Sequence, residues 1–264
     1  DVSGSSYEAA LKRMSSAIRK EARRHQYLLE SDRLRDVDKE TLKVLYSLYL
    51  KEEIQEESLY LLSEMLHKHY GKKVIILIDE YDVPLDKAYQ RNYYSEMVNH
   101  IRVMFSEALK TNVNLEFAVI TGCLRIAKES IFTGLNNFKV RTISDADFAE
   151  YFGFTDGEVR EILHYYGIEE TYNKMKEWYD GYQFGHAEIY CPWDILNQCD
   201  KFRCSITAPM EAHWENSSSN GIVQDILENS NATVKDEIEA LISGQCVEKA
   251  LIPELTYTDL ESKD

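Results

Sequence analysis

The 264-residue sequence is short of positive charge: 30 lysines and arginines stand against 46 aspartates and glutamates, a net charge of −16. Such a balance argues against the chain as a whole being a nucleic-acid-binding surface. The local exception, Arg19, Lys20, Arg23 and Arg24, reads as a solvated helix face. Its five cysteines include no Cys-x-x-Cys pair, so neither a zinc site nor a disulfide framework is indicated, and a reducing cytoplasm fits best. No apolar run approaches a membrane span and no signal peptide is evident. The sequence opens at Asp1 without an initiator methionine, and a natural N-terminal segment is expected upstream. Internal repeats and low-complexity linkers are absent. Glycine is sparse early: apart from Gly4, none precedes Gly71.

What is present is a hydrophobic fraction of 44%, ordinary for a globular protein, organised around residues 73–82. Val74 to Ile78 is an unbroken apolar run, mostly β-branched, which predicts a strand buried on both faces, as in a parallel sheet. It ends in Asp79 and Glu80. Open α/β sheets bind ligands at the carboxyl ends of their strands, and in nucleotide hydrolases an acidic residue there helps to hold Mg²⁺ while a neighbour orients water. An ordinary strand end followed by a solvated acidic turn is the plain alternative.

Upstream, Leu11, Met14, Ile18 and Ala22 recur at helical spacing, and Asp1 to Ser6 reads as the end of a strand. Leu42 to Leu50 predicts a second helix. Ser58 is placed to cap a third, with Leu59, Leu62, Leu66 and His69 on one face, and Gly71 to terminate it. Downstream, Pro84 marks a turn. Tyr93 to Leu109 is an amphipathic helix bearing Val98, Ile101 and Phe105, and Leu115 to Ile120 is a second strand ending in Thr121-Gly122. Strand, helix, strand predicts a right-handed βαβ unit with both polar ends on one edge. Asp79 and Thr121 are therefore expected as neighbours, with Thr121 either contacting phosphate or water or simply capping a helix.

Residues 130 to 138 read as a loop and Val140 to Ile143 as a short third strand. Beyond about Asp145 no further buried strand is evident. Thr155 and Glu158 form a capping box for a helix through Leu163. Tyr172 to Trp178 continues as helix, and Trp178 to Gly185 reads as an aromatic-rich turn, more readily a packing cluster than a site of chemistry. Ile222–Leu227 and Val234–Ile242 are the last helices.

Four blocks in order carry a resemblance: Val-Ile-Ile-Leu-Ile-Asp-Glu-Tyr-Asp (74–82), Val-Ile-Thr-Gly (119–122), Ser-Ile-Phe-Thr-Gly-Leu-Asn-Asn (130–137) and Trp-Tyr-Asp-Gly-Tyr-Gln-Phe-Gly (178–185). Together they resemble the AAA-ATPase-like family, often bacterial P-loop proteins and often fused to a C-terminal nuclease-like domain of the PD-(D/E)xK type. His213 to Ser217 and Leu255 to Leu260 fit its helical continuation. The resemblance implies a P-loop NTPase-like α/β core at 1–145 carrying a Walker B strand, incomplete at its N-terminus, and an all-helical domain at 146–264. It implies ATP and Mg²⁺ as cofactors. Asp79 would support the metal, Glu80 would polarise water, Thr121 would occupy the sensor position, and Arg125 and Lys128 would face the phosphates. Partners would be the nucleotide, a protein held by the helical domain, and nucleic acid only through a fused domain.

Two departures stand out. No Gly-x-x-x-x-Gly-Lys-[Ser/Thr] loop occurs in the sequence, and such a loop carries most nucleotide affinity. Glu261-Ser-Lys263 matches Glu-x-Lys only by spelling, with no Pro-Asp strand before it. The chain thus reads as an internal piece of an ATPase, or a relative that has lost the loop. Two other functions stay open: a non-catalytic interaction module of the same fold, and a metal-dependent nuclease using Asp79, Glu80 and Asp82.

Overall fold

The computed structural model describes residues 2, 4–122, 131–132, 138–142, 145, 147–214 and 232–248. The chain divides into two compact units, residues 1–137 together with 229–264, and residues 138–228.

The first unit is a mixed α/β arrangement. Its helices are α1 (Tyr7–Arg24), α2 (Asp36–Val44), α3 (Glu52–Tyr70), α4 (Val83–Tyr89), α5 (Tyr94–Leu109) and α9 (Ala232–Ile242). Ser6 caps α1 by accepting from the Ala9 N–H, and of the expected strand end at Asp1 to Ser6 the described residues, 2 and 4–6, are not strand. A 3-10 turn at Gln26–Glu30 leads towards α2, which runs from Asp36 to Val44 and not over the expected Leu42 to Leu50: residues 45–49 are turn and bend. There Asp38 takes the third helical position and accepts from the Arg35 backbone N–H. Helix α3 likewise starts ahead of Ser58, which is buried in mid-helix and donates to the Gln55 carbonyl at 2.7 Å. Gly71, with φ of 65°, ends α3 as anticipated. Ala22, Leu28, Leu34, Leu42, Leu45, Leu62 and Met65 form the core between α1, α2 and α3. A fully buried leucine contributes about 1.5–3 kcal/mol.

Strands β1 (Val74–Ile78) and β2 (Leu115–Ile120) pair in parallel, Ile76 opposite Ala118 and Ile78 opposite Ile120. The crossover between them consists of α4 and α5. Pro84 sits in the first turn of α4, where its missing N–H has no partner to lose. A buried polar network fixes the starts of both strands. Asn112 donates to the Ser63 hydroxyl on α3 (3.0 Å) and to the Ala108 carbonyl on α5 (2.9 Å), and Asn114 bonds His67 at 2.8 Å and receives the Val74 N–H at 2.8 Å.

The sheet differs from expectation in its burial. Helices α3 and α5 contact β1 and β2, and Ile76 is buried, but Ile75 is 50% and Leu77 74% exposed. Their register partners Phe117 and Val119 are exposed too. One face of the pair is therefore an open apolar surface: alternation sends every second side chain away from the helices.

The second unit corrects the expectation of an all-helical domain. It holds α6 (Asp156–Tyr166), α7 (Tyr172–Tyr179) and α8 (Pro192–Cys204), but also a three-stranded antiparallel sheet in the order β3 (Phe154–Thr155), β5 (Ala187–Tyr190), β4 (Asp180–Phe184). The aromatic stretch read as a turn is β4, and its turn is Gly185-His186. Only every second residue of β5 must be apolar, and the strands are short enough to lack a periodic signal. Residues Val140 to Thr142 are not strand. Likewise His213 and Trp214 continue no helix. They lie along α8, with Trp193 donating to the His213 carbonyl (3.1 Å) and the Trp214 N–H donating to Asp194 (3.0 Å). The proposed helix at 222–227 lies outside the described residues. Among those described, no helix is long and apolar enough to cross a membrane.

The capping box at Thr155 and Glu158 forms as its spacing predicts. Beside it, Asp156 accepts from Tyr172 Oη (2.5 Å), Tyr190 Oη (2.8 Å) and Arg160 Nε (2.8 Å). Burial alone raises this carboxyl, but the bonds from Tyr172, Arg160 and Tyr190 outweigh it and bring the pKa down to about 2. An aspartate depressed from about 3.9 in the unfolded chain adds stability that is present above about pH 4 and disappears as pH falls towards 2. Asp156→Asn is expected to lower Tm by a few degrees at pH 7, the effect of roughly 1 kcal/mol in a unit of this size. Thermal unfolding followed from pH 7 to pH 2 should show the gap to wild type closing. A gap constant with pH would contradict the assignment.

Candidate functional site at the carboxyl edge of the parallel strands

Asp79 and Glu80 follow β1 directly, and Thr121 follows β2. The parallel register brings the two ends side by side. Thr121 then joins them: its hydroxyl donates to Asp79 Oδ1 and accepts from the Glu80 N–H (3.3 Å). Its backbone completes the clamp, the N–H donating to the Ile78 carbonyl (2.9 Å) and the carbonyl accepting from the Tyr81 N–H (3.1 Å). Asp79, Glu80 and Thr121 are all exposed. The site is thus an open edge presenting two carboxylates and a hydroxyl, a set of hard oxygen donors that suits Mg²⁺.

Glu80 has φ of 54°, a left-handed conformation that is uncommon outside glycine, asparagine and aspartate and costs about 1–2 kcal/mol. It turns the chain sharply from β1 into α4, where the Glu80 carbonyl receives the Val83 N–H at 3.2 Å. Such strain clusters at functional sites. A glycine here would be the relaxed choice.

Two residues that sequence reasoning passed over shape the edge. Gly122 lies against Tyr81 and Asp82: a Cβ there would fall 2.6 Å from Tyr81 Cε1 and 2.8 Å from Asp82 Oδ1. Tyr81 is buried, with Phe132 edge-on at 5.4 Å between ring centres. The Thr-Gly dipeptide was the available signal, since a glycine just past a strand marks a close backbone approach. Asp82 is buried at the start of α4, whereas Asp79 and Glu80 are exposed. Among the described residues, Asp79, Glu80 and Asp82 do not form a three-ligand cation group. Arg125 and Lys128 lie outside the described residues.

The family described as Predicted AAA-ATPase matches residues 2–132, a span that contains β1, β2 and the whole clamp. An uncharacterized protein from the vnfD 5′ region of Azotobacter chroococcum mcd 1 is 28% identical over 133 residues, 49% of this chain and 25% of that protein. The match thus spans about a quarter of that relative's length. No solved structure matches the chain.

If Glu80 is held in its left-handed conformation, Glu80→Gly should leave Tm unchanged or raise it, because relief of strain offsets the extra chain entropy of glycine. Glu80→Val should cost about 1–2 kcal/mol, since a β-branched residue tolerates positive φ worst. Chemical denaturation of the two variants checks this, and a glycine variant markedly less stable than the valine one would contradict it.

Proposed function

We propose, for a chain whose residues 2–132 are AAA-ATPase-like, that the Asp79–Glu80–Thr121 edge is the cation and water side of an ATP-hydrolysing centre. The carrying observation is the hydrogen-bonded union of Asp79, Glu80 and Thr121 at the carboxyl ends of two parallel strands. Asp79 supports the Mg²⁺ that accompanies ATP. Glu80, fixed through its backbone N–H, orients or deprotonates the attacking water. Thr121 holds Asp79 in place and reports the state of the γ-phosphate. Bound Mg²⁺ supplies charge neutralisation on the transferring phosphoryl group. The fit is one-sided: the edge offers oxygen donors for the cation, while no glycine-rich lysine loop for the phosphates occurs in this sequence. ATP affinity of the chain alone is accordingly weak, and the phosphate cradle belongs to another segment or another polypeptide. Nucleotide state would pass from this edge to residues 138–228 or to a fused effector.

A second reading is a non-catalytic interaction module of the same fold. The observation favouring it is the open apolar face formed by Ile75, Leu77, Phe117 and Val119. Mutagenesis separates the two. In a form of the protein carrying a Gly-x-x-x-x-Gly-Lys-[Ser/Thr] loop upstream of Asp1, Glu80→Gln keeps size and hydrogen-bonding reach but removes the base. Steady-state hydrolysis should fall about 100-fold or more, within the range for general-base loss, with ATP affinity nearly unchanged. Asp79→Asn should weaken Mg²⁺-dependent ATP binding as well. Wild-type hydrolysis by the Glu80→Gln variant would leave the interaction module as the better account.

A further inference from the structure

A second constellation lies away from the strand ends, where α3 and α5 pack against each other. Glu52 and Glu56 are one helical turn apart on α3 and share a face. His100 of α5 meets them. It is completely buried, and neither of its ring nitrogens has a hydrogen-bond partner. Its Nδ1 lies 3.5 Å from Glu56 Oε1 and 3.7 Å from Glu52 Oε1. Leaving a buried polar atom unsatisfied costs about 1–3 kcal/mol, so a histidine with two such nitrogens facing two carboxylates calls for an explanation.

The distances supply one. They are too long for hydrogen bonds. Zinc binds imidazole nitrogen and carboxylate oxygen at about 2.0–2.2 Å, and the edge of a tetrahedron with such bonds is about 3.4 Å. One ligand atom from each of the three residues lies within 4.8 Å of the others. Tyr7 of α1 donates to Glu52 Oε1, the kind of outer hydrogen bond that orients a metal-binding carboxylate. Among the described residues no lysine or arginine pairs with Glu52 or Glu56. Burial, then the neighbouring carboxylates Glu52, Glu53, Glu57 and Glu107, pushes the Glu56 carboxyl up, and burial pushes His100 down.

We propose that Glu52, Glu56 and His100 form a binding site for a first-row divalent cation, with zinc the best match to one imidazole and two carboxylates. The cation bonds one His100 nitrogen and one oxygen from each glutamate, joins α3 to α5 and leaves a fourth position for water. This site is made of residues separate from the Asp79–Thr121 edge, and it stands or falls independently of ATP hydrolysis.

The test uses the full chain, stripped of metal by a chelator and dialysed against buffered Zn²⁺, with bound metal measured by mass spectrometry. Wild type should bind one tight equivalent, and Zn²⁺ should raise its Tm, because a ligand for the folded state alone stabilises it. Glu52→Gln/Glu56→Gln keeps the side-chain volumes and should weaken zinc more than about 100-fold, beyond the 10–100-fold typical of losing an outer-sphere partner. In metal-free buffer the same variant should melt no lower than wild type, because it removes two neighbouring like charges while the amide oxygen at position 52 can still accept from Tyr7. Glu56→Gln alone serves if the double variant does not fold. Absence of a tight equivalent in wild type overturns the proposal, as does equal zinc affinity in the variants. A metal-free variant markedly less stable than wild type would show that the cluster is a protonated histidine paired with its carboxylates, and would overturn it too.

Discussion

Thr121 binds the ends of the two parallel strands together through both its side chain and its backbone, reaching Ile78, Asp79, Glu80 and Tyr81. Everything proposed for the strand-end site depends on this clamp. Without the hydroxyl, the Glu80 N–H loses its acceptor, and the left-handed turn at Glu80 loses one of the bonds that hold it. Gly122 is the necessary companion: only a residue without Cβ lets the chain leave β2 against the Tyr81 ring. At the other end of the strands Asn112 and Asn114 tie α3, α5 and β1 together. The pair is thus pinned at both ends, although two strands, the number in this sheet among the described residues, make a marginal sheet by themselves.

That economy makes the open apolar face of β1 and β2 physically informative. Ile75, Leu77, Phe117 and Val119 lie together on it, and exposed contiguous apolar surface in a soluble protein marks an interaction or an uncovered core. The same pair of strands carries two carboxylates and a hydroxyl at its carboxyl edge, and the sequence holds no Gly-x-x-x-x-Gly-Lys-[Ser/Thr] loop.

Much of this was legible in the chain itself, for reasons that differ from residue to residue. The limits of β1 and β2 follow from apolar runs that stop at a charged or hydroxyl residue, and the neighbouring of Asp79 and Thr121 follows from the handedness of a βαβ unit. Thr155 with Glu158 and Gly71 were readable because capping is local chemistry. The exposure of Ile75 and Leu77 was not, since an unbroken apolar run looks the same whether one or both faces are covered. Ser58 misled because a serine within a helix can bond back to a carbonyl as easily as it caps. The sheet of the second unit escaped because Asp180 to Phe184, Asp-Gly-Tyr-Gln-Phe, shows no alternation of polar and apolar residues and is only five residues long. The Glu52, Glu56 and His100 cluster joins His100 to two glutamates about 44 and 48 positions before it, a proximity set by helix packing and invisible to spacing.

In the proposed function, Mg·ATP meets the protein at the Asp79–Thr121 edge. Paramagnetic broadening of backbone amides by Mn²⁺, compared with and without ATP in a form carrying an upstream phosphate loop, tests this directly. ATP-dependent broadening centred on Asp79, Glu80, Thr121 and Gly122 is the predicted result. Broadening that leaves these four amides sharp while ATP is bound would contradict it.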